Sequence, residues 1–537
     1  MSCIVKVTLK DNNKTKFLIV TKGAPEIIQT LLSSRDAKTD AIYKTQFETH
    51  TKEGKRVLAL GYRYMSDNTS RSDCNSLKRE DVEQNLNCPG FLVMTSPLKK
   101  ETKKTLLHLH DAMERIIMIT GDNEYTACDV AVRSGLVLSS NPIWLILKMD
   151  KTTKKLMWIS VNSNDPAQAT MKYTDHKMFE KLHNDHSKNY ALCISGSALS
   201  KLDNNGKIEA TKYANVFARV SPIDKERLII YFKKIGTTLM CGDGTNDVSA
   251  LKRADVGVSI MNNVTESPTS NNMSRGLKAM QEEINMNNTA QKLSNASLAA
   301  PFTSKFSSIH CVIDVVCHGR STLATTIQMY KILGINCLVS AYSLSALYLH
   351  GVKQGDQQAT IFALIISFMF FFNSLSKPTK VLDKSKPPKS IFETKQILSV
   401  VGQTIINFTS LYYVLNDCKR YTLPYDATME RDGDFEPNIL SSGIFLITCT
   451  MVLNSFFVNY SGKPHMEPLT KNKFLFYSGL VAYVLYFGAS TGFPPLCELF
   501  QLVQSEGKDE FWTSMFTIQL FNTAFTFAMQ FILNMIF

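Results

Sequence analysis

The 537 residues contain twelve cysteines, from Cys3 to Cys497, yet no CxxC pair and no regular cysteine spacing. This excludes a zinc-ribbon framework and argues for reduced thiols rather than a disulfide scaffold. The first ten residues, MSCIVKVTLK, lack the long apolar stretch of a signal peptide and alternate like a β-strand, so the chain is expected to open inside a folded domain. The formal charge of +12 comes without a concentrated basic tract. The lysines are spread along the chain, and solvated loops and membrane topology account for them better than a nucleic-acid partner.

Charge is also missing in long stretches of the second half, and there the absence is informative. Six uncharged apolar windows follow one another: Met329 to Leu349 with Lys331 at its edge, Thr360 to Leu375, Ile397 to Leu415, Asn438 to Tyr460, Phe474 to Ser490 and Phe511 to Phe537. Most approach the ~20 residues needed to cross a hydrocarbon core, the second and fifth being the shortest. The mean hydropathy of -0.06 therefore averages a soluble half with a membrane half. No Asp, Glu, Lys or Arg lies deep inside any window, which counts against a cation pathway through these helices. Asn336, Asn373, Gln403, Asn407, Asn454, Gln519 and Asn522 are expected to make interhelical hydrogen bonds.

The loops carry a consistent sign. SKPTKVLDKSKPPKSIFETK holds six lysines and SGKPHMEPLTKNK three, whereas the connections on the other side are neutral or acidic. The positive-inside rule then places the lysine loops and the whole first half in the cytosol.

In that first half, three stretches share one form. RIIMITGDN (Arg115 to Asn123), FARVSPIDK (Phe217 to Lys225) and LMCGDGTND (Leu239 to Asp247) each run from an apolar strand into a turn and a helix. Repeated strand, turn and helix units predict a parallel sheet with functional residues at the carboxyl ends of its strands. The chemistry is coherent for a phosphoryl group on magnesium. Asp243 offers a hard oxygen to Mg2+, Thr120 and the adjacent backbone N–H groups can hold phosphoryl oxygens, and Lys225 can neutralise developing charge. Each motif alone is common turn chemistry, and it is the ordered set that carries weight.

TKGAPE (Thr21 to Glu26), GKRVLALGYR (Gly54 to Arg63), MITGDN, FARVSPIDK and GDGTNDVSALK (Gly242 to Lys252) together resemble the ordered signatures of the P-type ATPases. LSNASLAAPFTSKFSSIHCV (Leu293 to Val312) and Gly319 to Lys353 resemble the type V subgroup A of the endoplasmic reticulum. The resemblance implies a multidomain architecture. Residues 1–88 would be the later part of an α+β nucleotide-binding domain, 89–260 an α/β haloacid-dehalogenase-like phosphorylation domain with a surface insertion at 139–212, and 261–299 a disordered loop. A return to the membrane at 300–328 and a bundle of six transmembrane helices at 329–537 would complete it.

The resemblance further implies ATP and Mg2+ as cofactors. Lys22, Gly23, Arg56 and Arg219 would serve the nucleotide, Thr120, Gly121, Asp122, Lys225 and Asn246 the phosphorylation chemistry, and Asp243 and Asp247 the metal. The implied activity is an ATP-driven multi-pass translocase of the endoplasmic reticulum membrane that extracts mis-inserted transmembrane helices, with a manganese pump as the alternative. Its partners would be ATP, the bilayer and apolar client segments.

The sequence departs from the family in one large respect, because the DKTGT that carries the phosphorylated aspartate is not found in it. MDKTTKK at Asp150 is no substitute: it follows the TGD strand, lacks the turn glycine and reads as a hairpin. The chain alone is therefore expected to be inactive and to represent the C-terminal part of a pump. A soluble phosphatase would leave the six windows unexplained, and a non-catalytic membrane protein is the remaining alternative. Ser249 for the usual glycine and Lys100-Glu101 for Pro-Asp are smaller departures. His108 and His110, two apart, do not share a helix face and are not expected to bind metal.

Overall fold

The computed structural model describes the chain apart from residues 9–14, 34–36, 53–54, 67–73, 75–76, 96, 140–141, 151–152, 162–169, 186–188, 244, 262–299, 422–434 and 505–508. The polar loop expected at 261–299 lies, apart from Met261, outside the described residues. The chain forms two compact units, Met1–Val312 and Ile313–Phe537.

The first unit opens with an antiparallel sheet of β1 (Ser2–Thr8), β2 (Thr15–Gly23), β3 (Arg56–Tyr64) and β4 (Asn87–Met94), in that order. Helices α1 (Pro25–Thr30) and α2 (Ala37–Lys52) connect β2 to β3, and the short α3 (Arg79–Val82) precedes β4. Period-2 alternation buries one face of this sheet, with Ile19 and Thr21 of β2 on the same side as Val57 and Ala59 of β3. Ile28, Tyr43, Phe47, Val57 and Ala59 fill one cluster, and Ile19, Val82 and Leu86 another.

After α4 (Thr102–Asp111) the chain changes from hairpins to crossovers. It continues through β5 (Met118–Ile119), α5 (Glu124–Ser134), β6 (Ile143–Met149), β7 (Leu156–Ser160), β8 (Thr170–Lys172), α6 (Lys177–Asn184) and β9 (Tyr190–Ser195). Then follow α7 (Gly196–Leu199), α8 (Asn204–Tyr213), β10 (Val216–Ala218) and α9 (Pro222–Lys233). These strands form one sheet in the order β5-β10-β9-β6-β7-β8, parallel from β5 to β6 and antiparallel beyond. A second parallel sheet follows, β11 (Leu239–Gly242), β12 (Val256–Ile260) and β13 (Phe302–Ser304), with α10 (Val248–Arg253) between its first two strands. Met240 of the second sheet and Ala250 and Leu251 of α10 share one core with Phe217 of the first sheet and Leu228 and Phe232 of α9.

Residues 139–212 differ from the surface insertion expected of them. They supply β9, which lies between β10 and β6, and Ile146, Leu147, Cys193 and Ile194 are fully buried. Their polar residues drew attention to solvent, but the runs IWLILKM and YALCIS are the central strands of the sheet. The β6–β7 hairpin itself is present, with Asp150 in its turn. On α4, His108 is exposed while His110 Nε2 meets the Leu136 carbonyl at 3.0 Å, so the two histidines part company as expected.

The second unit is helical: α11 (Cys311–Leu349), α12 (Asp356–Ser374), α13 (Thr394–Tyr421), α14 (Ile439–Val458), α15 (Lys473–Ala489), the short α16 (Pro494–Leu499) and α17 (Asp509–Ile536). Each of the six apolar windows falls in a helix. Five of these helices are long and apolar enough to cross a membrane, and α15 has 17 residues. The later part of the 300–328 segment and the first window lie in one continuous helix, α11, of 39 residues. Helix α14 is buried all round by the others, as a helix without a polar face requires.

Six of the seven singled-out amides bond between helices. Gln328 donates to Asn373 at 2.8 Å, Ser455 to Asn336 at 2.8 Å, and Gln403 and Asn459 exchange bonds at 3.0 and 2.9 Å. Asn454 donates to Asn522 at 2.9 Å and Asn522 to Asn407 at 3.1 Å. Gln519 is the exception, buried with neither amide atom hydrogen-bonded among the described residues.

Candidate functional site

The first two strand ends are locked to each other. Met118 pairs with Val216 and Ile119 with Phe217. The ladder continues past both strands: Thr120 N–H donates to the Phe217 carbonyl at 2.9 Å, Val220 N–H to the Thr120 carbonyl at 3.0 Å and Arg219 N–H to the Asp122 carbonyl at 3.0 Å. The TGD turn and the RVSP turn are thus one structural piece. Within it, Thr120 Oγ1 accepts from Asp122 N–H at 3.1 Å and donates to Asp122 Oδ2 at 3.3 Å. Gly121 stands over open space, with nothing within 4 Å of where a Cβ would be, so a ligand oxygen can approach the backbone there. Asn123 caps α5 by accepting from Tyr125 N–H at 3.0 Å, which aims a helix N-terminus at the same turn.

The third strand end is joined to the second by a buried ion pair. Lys225, on the first turn of α9, places Nζ 2.7 Å from Asp247 Oδ1, with side chains 12% and 13% exposed. Ser221 positions that turn, accepting from Asp224 N–H at 3.2 Å at the helix start. Asp247 is held from its other side as well, because a Cβ on Gly242 would come within 2.7 Å of Asp247 Oδ2. Glycine at 242 is therefore needed for the carboxylate to fold back over its own strand. Asp243 and Asn246 are exposed at the same end.

These donors fit magnesium in a particular way. Among the described residues no group of three or more His, Cys, Asp and Glu is gathered, and Asp247 is engaged by Lys225. Mg2+, however, keeps several waters and is commonly held by one or two carboxylates plus substrate phosphate oxygens. The exposed Asp243 fits that arrangement, and Asp247, paired with Lys225, stands four residues further on.

Cys241 lies two residues before Asp243. A hydrogen bond with the Cys311 thiol and burial both push its thiol up, so it stays neutral beside the carboxylates.

Arg219 adopts a left-handed backbone, φ 51°, and its side chain is occupied. Its Nη2 lies 2.8 Å from Glu26 Oε1 and its Nε 3.6 Å from Glu124 Oε2. Lys148 completes the set at 3.3 Å from Glu124, with its ammonium 4.7 Å above the Tyr125 ring. The Glu26 contact brings the TKGAPE segment to the RVSP turn. Lys22 is exposed near the end of β2, opposite Leu60, and Gly23 sits where a Cβ would be 3.1 Å from Ile28 Cδ1. Arg56 opens β3 opposite Met94; its side chain lies outside the described residues.

Sequence reading missed Glu26, Glu124 and Gly196. A Cβ on Gly196 would lie 2.2 Å from the Arg219 carbonyl oxygen, so the SGS turn after β9 is pressed against the backbone of Arg219. The signal available was another strand, turn and helix, YALCISGSAL, hidden inside the presumed insertion.

Comparison with known proteins agrees with the motifs. A family profile described as P-type ATPase, cytoplasmic domain N, matches residues 1–101. Over 532 residues the chain is 33% identical to a probable manganese-transporting ATPase of Arabidopsis thaliana, covering 89% of this chain and 43% of that protein. It is 33% identical over 578 residues to the endoplasmic reticulum transmembrane helix translocase of Schizosaccharomyces pombe, covering 91% and 46%. With the translocase of the same name from Saccharomyces cerevisiae it shares 31% over 588 residues, covering 91% and 47%. Over about nine-tenths of its length the chain is similar to P-type ATPases. Within them its similarity is to the type V members, and it spans a little under half the length of these relatives.

Proposed function

We propose that these residues form the later part of an ATP-driven translocase of the endoplasmic reticulum membrane that extracts mis-inserted transmembrane helices. The observation that carries the reading is the joining of three strand ends, TGD, RVSP and GDGTND, through the Thr120–Val220 ladder and the Lys225–Asp247 pair. The relatives named as helix translocases support it. So does the second unit, whose buried helices are bridged, among the described residues, by neutral amides and not by carboxylates, a lining better suited to a polypeptide than to a divalent cation.

In this reading, residues 1–88 belong to the nucleotide-binding domain and present Lys22, Gly23 and Arg56 to ATP. Residues 89–260 form the haloacid-dehalogenase-like phosphorylation domain. Thr120 and the N–H groups around Gly121 and Asp122 hold the transferred phosphoryl oxygens, and Lys225, fixed by Asp247, balances their charge. Asp243 and Asn246 border the same space, and bound Mg2+ would neutralise phosphate oxygens there. Arg219 sits at the nucleotide side, its guanidinium exchanged between Glu26 and the incoming ligand. The phosphate acceptor is an aspartate on a strand that these residues do not contain. That assignment is supported by the two outermost strands, β5 and β11, each of which ends in candidate residues and has a vacant edge among the described residues. The soluble unit faces the cytosol, with the lysine-rich loops of the membrane unit on that side.

The test uses the protein joined to the acceptor strand, in microsomes that hold a mis-inserted single-span reporter. Extraction should require ATP and should stop with Asp243→Asn. ATP-dependent uptake of radiolabelled manganese without reporter extraction would overturn the reading in favour of a cation pump.

A further inference from the structure

A cavity of about 340 Å³ lies in the second unit, bordered by α11, α13, α17 and the loop after α14. Its wall carries three lysines, Lys331 from α11, Lys395 from α13 and Lys463 from that loop, and no carboxylate. Lys331 is only 6% exposed, and among the described residues it has no hydrogen-bond or ion-pair partner. The charged neighbour that acts on it is Lys395, which has the same sign.

The polar groups around these lysines are already satisfied by one another. Gln328 donates to Asn373 and accepts from Ser461 N–H at 2.8 Å. Gln530 accepts from Ser399 at 2.6 Å. Asn459 is tied to Gln403. Three ammonium groups directed at one space, one of them buried, are unfavourable unless an anion joins them. At ~30 Å³ per water the cavity would hold roughly eleven waters, more room than a bare phosphate needs.

Its surroundings point to the source of the anion. Ile397 and Leu398 on α13, and Phe531, Ile532 and Met535 on α17, are exposed on the outer faces of the same helices, near the same ends. Two lysine-rich loops contribute to the wall, Pro388 from one, Ser461 and Lys463 from the other. We propose that this cavity binds the phosphorylated headgroup of an anionic phospholipid, whose acyl chains lie along those exposed apolar residues. Basic pockets between membrane helices are suited to such headgroups through ion pairing at low dielectric. The inference rests on the second unit being embedded in a bilayer, and alkaline carbonate extraction tests that point separately.

The binding experiment is native mass spectrometry of the full chain in neutral detergent. The probes are short-chain phosphatidylinositol 4-phosphate, short-chain phosphatidylcholine and inorganic phosphate. The phosphoinositide should bind at least about tenfold more tightly than either comparator. Lys331→Met and Lys395→Gln should each weaken it about tenfold, Lys331→Arg should retain it, and the loop double variant Lys377→Gln/Lys380→Gln should bind like wild type. Should Lys331→Met fail to fold, Lys395→Gln and Lys463→Gln, at more exposed positions, decide the matter. Undiminished binding by the folded cavity variants would overturn the proposal. Phosphatidylcholine binding as tightly as the phosphoinositide would overturn it as well. Inorganic phosphate matching the lipid would place a soluble anion in the cavity and overturn the lipid assignment.

Discussion

Lys225 Nζ and Asp247 Oδ1 lie 2.7 Å apart, and through them the helix that follows β10 grips the turn that follows β11. Both side chains are close to nine-tenths buried, so the pair is held in low dielectric with little solvent to replace a lost partner. Removing one member leaves a buried charge, for which ~3–5 kcal/mol of destabilisation is typical. Asp247→Ala should therefore lower the thermal midpoint of the first unit clearly. Lys225→Met/Asp247→Leu should be less destabilised than the sum of its single changes. Intrinsic fluorescence follows this, since Trp158 is fully buried in the shared core. Equal and additive losses would show that the pair is not coupled.

Gly196 is a second point where the geometry leaves no room. The added methyl of Gly196→Ala would sit 2.2 Å from the Arg219 carbonyl oxygen, 3.0 Å from its carbon and 3.4 Å from Val220 Cα, all backbone atoms. No flexible side chain can move aside, so the RVSP turn itself must shift. Overpacking of this kind is worth ~1–3 kcal/mol or more. Reduced stability should be accompanied by weaker nucleotide binding, measured by fluorescence of a labelled ATP analogue. A variant with wild-type stability would mean that the turn yields easily.

The parts of this site that were legible in the sequence are those written locally. TGD, RVSP and GDGTND each announce a strand end, and the six apolar windows each became a helix, because apolar runs and turn residues act over a few positions. What was not legible depends on chain segments far apart. Arg219 and Glu26 are separated by 193 positions, and neither neighbourhood indicates the other. The 139–212 segment was misread because its polar loops outnumber its two short buried strands, β6 and β9, whose place at the centre of the sheet is a fact of pairing. Lys331 looked like an edge residue of an apolar window, and only the packing of α13 and α17 around it shows it enclosed.

Asp255 makes the second sheet sensitive to acid. It accepts from Thr238 N–H at 2.9 Å and from Thr238 Oγ1 at 3.1 Å, and it meets Lys233 Nζ at 2.8 Å. The Lys233 bond first, and then the Thr238 backbone bond, hold its carboxyl below the ordinary 3.8. A depressed folded-state value means that the contribution to stability is fully present above pH 3.8 and is lost as pH falls through that lower value. Because the carboxylate and its lysine are each about a third exposed, the effect should amount to a few tenths of a kcal/mol. Asp255→Asn should therefore be slightly less stable than wild type at pH 6, and the difference should vanish at the acid end of a pH series of thermal scans. A difference that grows on acidification would contradict the assignment.

Asp150 offers the sharpest contrast between the motif and its place in the fold. DKTT looks like a phosphate-acceptor sequence, yet Asp150 occupies the β6–β7 turn, accepting from Thr153 N–H at 3.2 Å and from Thr153 Oγ1 at 2.6 Å. Its strand is separated from β5 by β9 and β10. At ~4.8 Å per strand this sets Asp150 roughly 14 Å from the Thr120 turn along the sheet, too far for in-line attack on a phosphoryl group held there. The chain incubated with γ-labelled ATP and Mg2+ should accordingly give no acid-stable label. Joined to an acceptor strand, it should be labelled equally well with Asp150 or Asp150→Asn, and the label should be lost with Asp243→Asn. A phosphoenzyme formed by these residues alone and abolished by Asp150→Asn would require β6, and not the edge at β5, to be the reactive strand.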